Sequence, residues 1–318
     1  MGSLHGSPVA PAWPHVPMSP ASLLVDRIGD TPLLSIQDLD VPARVRVLAK
    51  AEWFNPGGSV KDRAAWGIVK AAAATGQLGP GIGLVDATSG NTGIAYAWIG
   101  AARGFPVRLF MPANASGARK RMLAAYGAEV VLTDPLAGTD GAIREARSLV
   151  AREGARWFYA DQYSNDANWR AHYTGTAEEI WRQTAGAVTH FVAGIGTSGT
   201  LVGTARRLRE RNPKISIVAV QPESPLHVME GLKHLASCLV PPIYDAGAHD
   251  RVVEVTSEAA IEMVFRQAKH GLLLGWSGGA ALAAAERLAR ELEFGIVVTV
   301  LPDGGERYLD DPLWEEQR

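Results

Sequence analysis

From Val45 onward the chain alternates between short apolar, β-rich runs and longer amphipathic ones, and this alternation constrains the fold more than any other feature. Runs at 45–51, 83–87, 107–111, 129–133, 191–193, 215–220 and 296–301 read as buried strands. Between them, 59–75, 91–103, 115–126, 139–152, 200–211 and 278–291 read as helices. The pattern predicts an α/β fold of mostly parallel, twisted sheets flanked by helices, with ligands held beyond the carboxyl ends of the strands. Function is therefore expected in the strand-to-helix loops.

At 318 residues the chain exceeds what one hydrophobic core usually organises, so two lobes are expected, with a boundary where polar residues interrupt the pattern at 163–171. The first 18 residues carry Pro8, Pro11, Pro14 and Pro17 without the basic start and apolar stretch of a secretory signal, and read as a flexible extension. Thirty-one basic residues against 33 acidic ones give a net charge of -2, too balanced for a protein that binds by neutralising nucleic-acid phosphates or anionic lipid. The uncharged stretch at 271–285 falls short of the roughly 18–20 residues a membrane span needs. The expected partners are small molecules, not nucleic acid or membrane. A single cysteine, Cys238, excludes an internal disulfide and a cysteine-based metal cluster, and a cytoplasmic setting is expected. The eight histidines show no zinc spacing, so no metal is expected.

Four loops carry candidate chemistry. In Asn55-Pro56-Gly57-Gly58-Ser59-Val60-Lys61, a forced turn delivers Lys61 to the first turn of a helix. The helix dipole disfavours an ammonium there, which suits an amine that forms an imine; a solvated surface lysine fits the local sequence equally. Thr88-Ser89-Gly90-Asn91-Thr92-Gly93 offers hydroxyls, an amide and free N–H groups to a carboxylate or phosphate, or simply caps a helix. Gly194-Ile195-Gly196-Thr197-Ser198-Gly199-Thr200 would cradle a phosphate, and read literally it is also a dinucleotide fingerprint. A nicotinamide enzyme would want an acid at the end of the next strand, where Val220-Gln221-Pro222 stands and Glu223 comes late. In Gly275-Trp276-Ser277-Gly278-Gly279, Ser277 either caps a helix or presents a neutral hydroxyl to a heterocycle.

The order of these loops resembles the fold-type II pyridoxal 5'-phosphate enzymes, specifically the cysteine synthase family, over residues 28–313. The resemblance includes Gly29-Asp30-Thr31-Pro32-Leu33, Asp161-Gln162-Tyr163-Ser164-Asn165 and Pro302-Asp303-Gly304-Gly305-Glu306-Arg307-Tyr308-Leu309. It implies pyridoxal 5'-phosphate as cofactor, tethered by Lys61, which also removes the substrate's α-proton. Asn91 would bond the ring hydroxyl, and Gly196, Thr197, Ser198, Gly199 and Thr200 would hold the phosphate. Ser277 would face the pyridine nitrogen, while Thr88, Ser89, Gly90, Thr92 and Gln162 would grip the amino acid's carboxylate. A hydroxyl stabilises a protonated ring nitrogen less than a carboxylate does, which moderates the ring as an electron sink. The implied reaction is β-replacement: an O-activated serine, foremost O-acetyl-L-serine, passes through an aminoacrylate and takes a sulfur nucleophile to give L-cysteine. A smaller lobe over 48–165, a larger one from 19–47 plus 166–313, and a homodimer follow from the resemblance. Residues 230–234, Glu230-Gly231-Leu232-Lys233-His234, look closest to the second, B-type branch.

Asp30, Ala118 and the pair Ala177-Glu178 depart from the family pattern, the last in what should be a loop before a helix starting at Glu179. O-phosphoserine is the competing substrate: Lys233, His227 and His234 favour it, and Glu223 opposes it. A cystathionine β-synthase-like lyase and a nicotinamide oxidoreductase are the alternatives. The second leaves Lys61 and Ser277 unexplained. The tryptophans are expected in the core or at interfaces, with packing near the cofactor the alternative for Trp276 beside Ser277, and a sulfur-carrier partner is left undetermined by the sequence.

Overall fold

The computed structural model describes residues 23–88 and 90–315, and the expected extension at 1–18 lies outside them. In chain order the strands are β1 (Leu33–Ser35), β2 (Val45–Ala51), β3 (Gly83–Ala87), β4 (Val107–Pro112), β5 (Glu129–Thr133), β6 (Trp157–Tyr159), β7 (His190–Gly194), β8 (Ser216–Pro222), β9 (Arg251–Val255) and β10 (Gly295–Leu301). The helices are α1 (Lys61–Ala74), α2 (Asn91–Arg103), α3 (Gly117–Ala125), α4 (Gly138–Glu153), α5 (Asp166–Ala171), α6 (Ala177–Gln183), α7 (Gly199–Arg211), α8 (Ser257–Ala268) and α9 (Trp276–Arg290).

These strands form two sheets, one ordered β5-β4-β3-β6 and one ordered β1-β2-β10-β7-β8-β9. All pairings are parallel except β1 against β2, where Leu34 faces Ala49. The central strands read as continuous apolar runs because both faces are covered. In β10, Val297, Val298, Thr299, Val300 and Leu301 are all buried. One face of the six-stranded sheet packs on α8 and α9 through Ala260, Val264, Ala280 and Leu288. The other packs on α6 and α7 through Ile180, Leu201, Val202 and Leu208. The four-stranded sheet is sandwiched likewise, with Ile68 and Ile94 of α1 and α2 in one cluster and Ala142 and Ala146 of α4 in another. Residues 48–51 pair within the larger sheet, since β2 runs alongside β10 with Leu48 opposite Val298.

The α/β expectation holds, and every expected strand and helix is present within a few residues at its ends. Strands β1, β6 and β9 had no counterpart in the sequence reading: all lie at sheet edges, where three to five residues leave too little alternation to see. Helix α8 also had no counterpart, α6 answers to the helix expected from Glu179, and α5 escaped for another reason. A π-helical turn, His172–Thr176, joins α5 to α6, and its wider winding breaks the 3.6-residue phase. Ala177 opens α6 directly from that turn, so the loop expected at Ala177-Glu178 does not exist, and Glu178 instead pairs with Arg207 and Arg211 across to α7. Among the described residues no helix is long and apolar enough to cross a membrane.

Candidate active site

The carboxyl ends of β3, β7 and β10 open on one cavity of about 310 Å³, the position that parallel sheets reserve for ligands. Lys61 lines it as the first residue of α1, its backbone N–H donating to Ser59 Oγ at 3.3 Å. Burial pushes its ammonium below the ordinary 10.5, opposed by the nearby Asp303 carboxylate. Desolvation is thus the leading cause, where the sequence had pointed to the helix dipole.

Two residues along, Arg63 anchors the same helix in a buried charge cluster. Its guanidinium reaches Glu52 at 2.6 and 2.9 Å and Glu179 at 2.6 and 2.8 Å, while Lys50 donates to Glu179 at 2.7 Å. Lys50 and Glu52 are 0% exposed, so each charge depends on its partners in place of water. The cations hold the Glu52 carboxyl below its ordinary value against burial, and the start of α1 is thereby fixed to β2 and α6.

The second loop runs from Thr88 at the end of β3 into α2. Thr88, Gly90, Asn91 and Thr92 line the cavity, and Ser89 lies outside the described residues. Thr92 Oγ1 donates to Gln162 Oε1 at 2.8 Å, and Gln162 Nε2 donates to the Ala87 carbonyl at 3.0 Å. Gln162 is thus a brace for the loop as well as part of the cavity wall. Behind it, Asp86 accepts the Gln162 backbone N–H at 3.3 Å. Asn91 is held at both ends: its Nδ2 donates to Asp303 Oδ2 at 2.6 Å, and its Oδ1 accepts from Arg307 Nη1 at 2.8 Å.

The third loop links β7 to α7. Gly196, Thr197, Ser198 and Thr200 line the cavity, whereas Gly199 sits behind them against Asn168. Ser198 adopts φ 73°, a left-handed conformation uncommon outside glycine, and its buried hydroxyl has no partner among the described residues. At Gly196 a Cβ would come within 2.2 Å of the Gly231 carbonyl oxygen, so only glycine lets the loop approach that segment. Ser277 lines the opposite wall from the first turn of α9; Gly275 holds the N-cap position, so Ser277 is not the cap. Trp276 takes the core place expected of the tryptophans, beside Phe265 and Trp314, and donates to Asp311 at 3.1 Å.

The cavity also gathers residues that sequence reasoning assigned no role. Asp303 is buried between Asn91 and Tyr308, whose hydroxyl donates to it at 2.6 Å, and burial raises its carboxyl pKa. Arg307 ties Asn91 to the Gly57 carbonyl. Arg119 of α3, lying over the Tyr308 ring, pairs with Glu230 at the mouth. The signal for Asp303 and Arg307 was the 302–309 segment and for Glu230 the 230–234 segment, both noted as part of the resemblance without a role; Arg119 stands beside Lys120, a positive pair next to the departing Ala118.

A buried lysine amine, a cup of N–H and hydroxyl donors with an orphaned buried Ser198 hydroxyl, and a neutral Ser277 opposite fit a pyridoxal 5'-phosphate molecule. Residues 24–303 match the family described as pyridoxal-phosphate dependent enzyme, and the chain belongs to that family. Within it, the chain is a member of the cysteine synthases. It is 50% identical over 298 residues to a cysteine synthase of Aquifex aeolicus, covering 91% of each chain. Cysteine synthase B of Pseudomonas aeruginosa is 41% identical over 293 residues, which are 92% of this chain and 97% of that protein. Among solved structures, a cysteine synthase of Entamoeba histolytica superposes with a TM-score of 0.88 at 34% identity, covering 97% of this chain and 94% of that one. The fold-type II architecture and the pyridoxal-phosphate dependence expected from the sequence are borne out.

Proposed function

We propose that this cavity converts O-acetyl-L-serine and a sulfur nucleophile to L-cysteine, with Lys61 as both cofactor tether and proton carrier at the substrate's α-carbon. The observation that carries the reading is the placement of the Lys61 amine on one cavity wall between the Thr88–Thr92 loop and the Gly196–Thr200 loop, with burial favouring its neutral, nucleophilic form. The bound cofactor supplies the electron sink that makes the α-proton removable.

The chain's own residues divide the remaining work. Gly196, Thr197, Ser198, Gly199 and Thr200 hold the phosphate, with α7 directing its positive end at it. Thr88, Ser89, Gly90, Thr92 and Gln162 bind the substrate carboxylate, and Asn91, fixed by Asp303 and Arg307, meets the ring hydroxyl. Ser277 meets the ring nitrogen from the first turn of α9, where both the uncharged hydroxyl and the helix dipole disfavour a protonated ring. That restraint suits loss of a β-leaving group followed by addition. At the mouth, Lys233 lies over the Tyr163 ring, and Arg119 meets the Glu230 carboxylate. Glu230 offsets the Arg119 charge there, so little positive charge is left for a second phosphate dianion, which favours the acetyl ester over phosphoserine.

Lys61→Ala is the direct test. The purified variant should lose the visible absorption of the lysine-bound cofactor together with cysteine formation, and full activity in this variant would overturn the assignment. Faster turnover of phosphoserine than of acetylserine by the wild-type enzyme would overturn the substrate choice alone.

A further inference from the structure

Asn168, on α5, is 1% exposed and bridges the two loops that make the site. Its Nδ2 lies 2.7 Å from the Gln162 carbonyl oxygen and 3.1 Å from Thr197 Oγ1. A carbonyl can only accept, so the atom facing Gln162 must be the amide nitrogen, and this settles which way the side chain points. The second amide hydrogen then falls to Thr197, which must accept it. The Gly199 N–H approaches the same hydroxyl at 3.4 Å. A hydroxyl has two lone pairs and one hydrogen. With its lone pairs turned toward Asn168 and Gly199, the Thr197 hydrogen is left to be donated, and Thr197 borders the cavity.

Asn168 Oδ1, in contrast, has no hydrogen-bond partner among the described residues, and a Cβ on Gly199 would stand 2.0 Å from it. A buried amide with an idle acceptor is costly, so the value of this side chain lies in its two donors. Through Gln162, which braces Thr92 at 2.8 Å, the same amide joins the loop after β7 to the loop after β3.

We infer that Asn168 is a positioning residue which commits the Thr197 hydroxyl to donate toward an anion in the cavity, namely the cofactor's phosphate. The inference rests on the reading that the Gly196–Thr200 loop takes that phosphate. Without Asn168 the Thr197 hydroxyl is free to rotate, and a lone pair facing the phosphate would replace a donor.

The test compares dissociation constants for pyridoxal 5'-phosphate and for pyridoxal, which lacks the phosphate, on the full-length protein stripped of cofactor. Wild-type protein should prefer the phosphorylated form strongly. Asn168→Ala should cut that preference by about tenfold to a hundredfold, the size of a hydrogen bond to a charged group, while leaving pyridoxal affinity unchanged. Thr197→Val, nearly the same shape, should cut it by a similar factor, and the double variant should lose little more than Thr197→Val alone. An Asn168→Ala protein with the wild-type preference, or two losses that multiply in full, would refute the positioning role while leaving the phosphate site intact. A wild-type protein with no preference for the phosphorylated form would refute the phosphate reading and the inference with it.

Discussion

Asp86 lies one residue before the end of β3, is 1% exposed, and accepts the backbone N–H of its own neighbour Ala87 at 2.8 Å and of Gln162 at 3.3 Å. Burial raises its carboxyl from 3.8 to about 7, with Asp161 adding repulsion and the two N–H groups and the Tyr96 hydroxyl opposing. Because the folded value lies above the unfolded one, the stability this group contributes is fully present below about pH 3.8 and is lost as pH rises to about 7. At about 1.4 kcal/mol per pH unit the whole effect is about 4 kcal/mol, and about 3 kcal/mol of it falls between pH 5 and pH 8. Asp86→Asn keeps the shape and cannot titrate. Its lost acceptor strength adds an offset that does not vary with pH, so the difference between variant and wild type isolates the ionisation. Equilibrium denaturant unfolding of both proteins, with the cofactor at one fixed concentration, should show the amide gaining about 3 kcal/mol on wild type between pH 5 and pH 8. A difference that stays flat across this interval would mean that Asp86 is charged throughout and that two N–H groups and the Tyr96 hydroxyl compensate the buried charge in full.

Glu179→Gln should be among the most damaging single changes away from the cavity. It leaves Lys50 and Arg63 in the interior with one carboxylate fewer, a loss of about 3–5 kcal/mol in denaturant unfolding; a change within experimental scatter would show that water reaches the cluster. On the proposed reading Ser277→Ala removes one neutral hydrogen bond to the ring, so kcat/KM should fall by no more than about tenfold with the cofactor still bound by its visible absorption. A loss beyond about a thousandfold would show that Ser277 carries more than a neutral contact.

The loops of the site were legible because each obeys local rules. A strand ends, glycines and hydroxyl residues turn the chain, and a helix begins on Lys61, Asn91, Gly199 or Trp276. Those rules act within ten residues, so a single chain displays them. The elements that support the loops follow no such rule. Arg63 meets Glu179 across 116 positions, and Asn91 meets Asp303 across 212. Such partners share no period, and each looks like an ordinary polar residue until two sheets close around it. Asn168 shows the same limit from inside a helix. The π turn at His172–Thr176 hides α5 from any search by apolar spacing, and α5 is what carries the amide between Gln162 and Thr197. Sequence thus displayed the groups that line the cavity and concealed those that brace them, because the lining is made by local loop chemistry whereas the bracing is set by long-range packing. Variants that alter the bracing should accordingly change cofactor affinity, stability or their pH dependence while every residue of the recognisable loops stays in place.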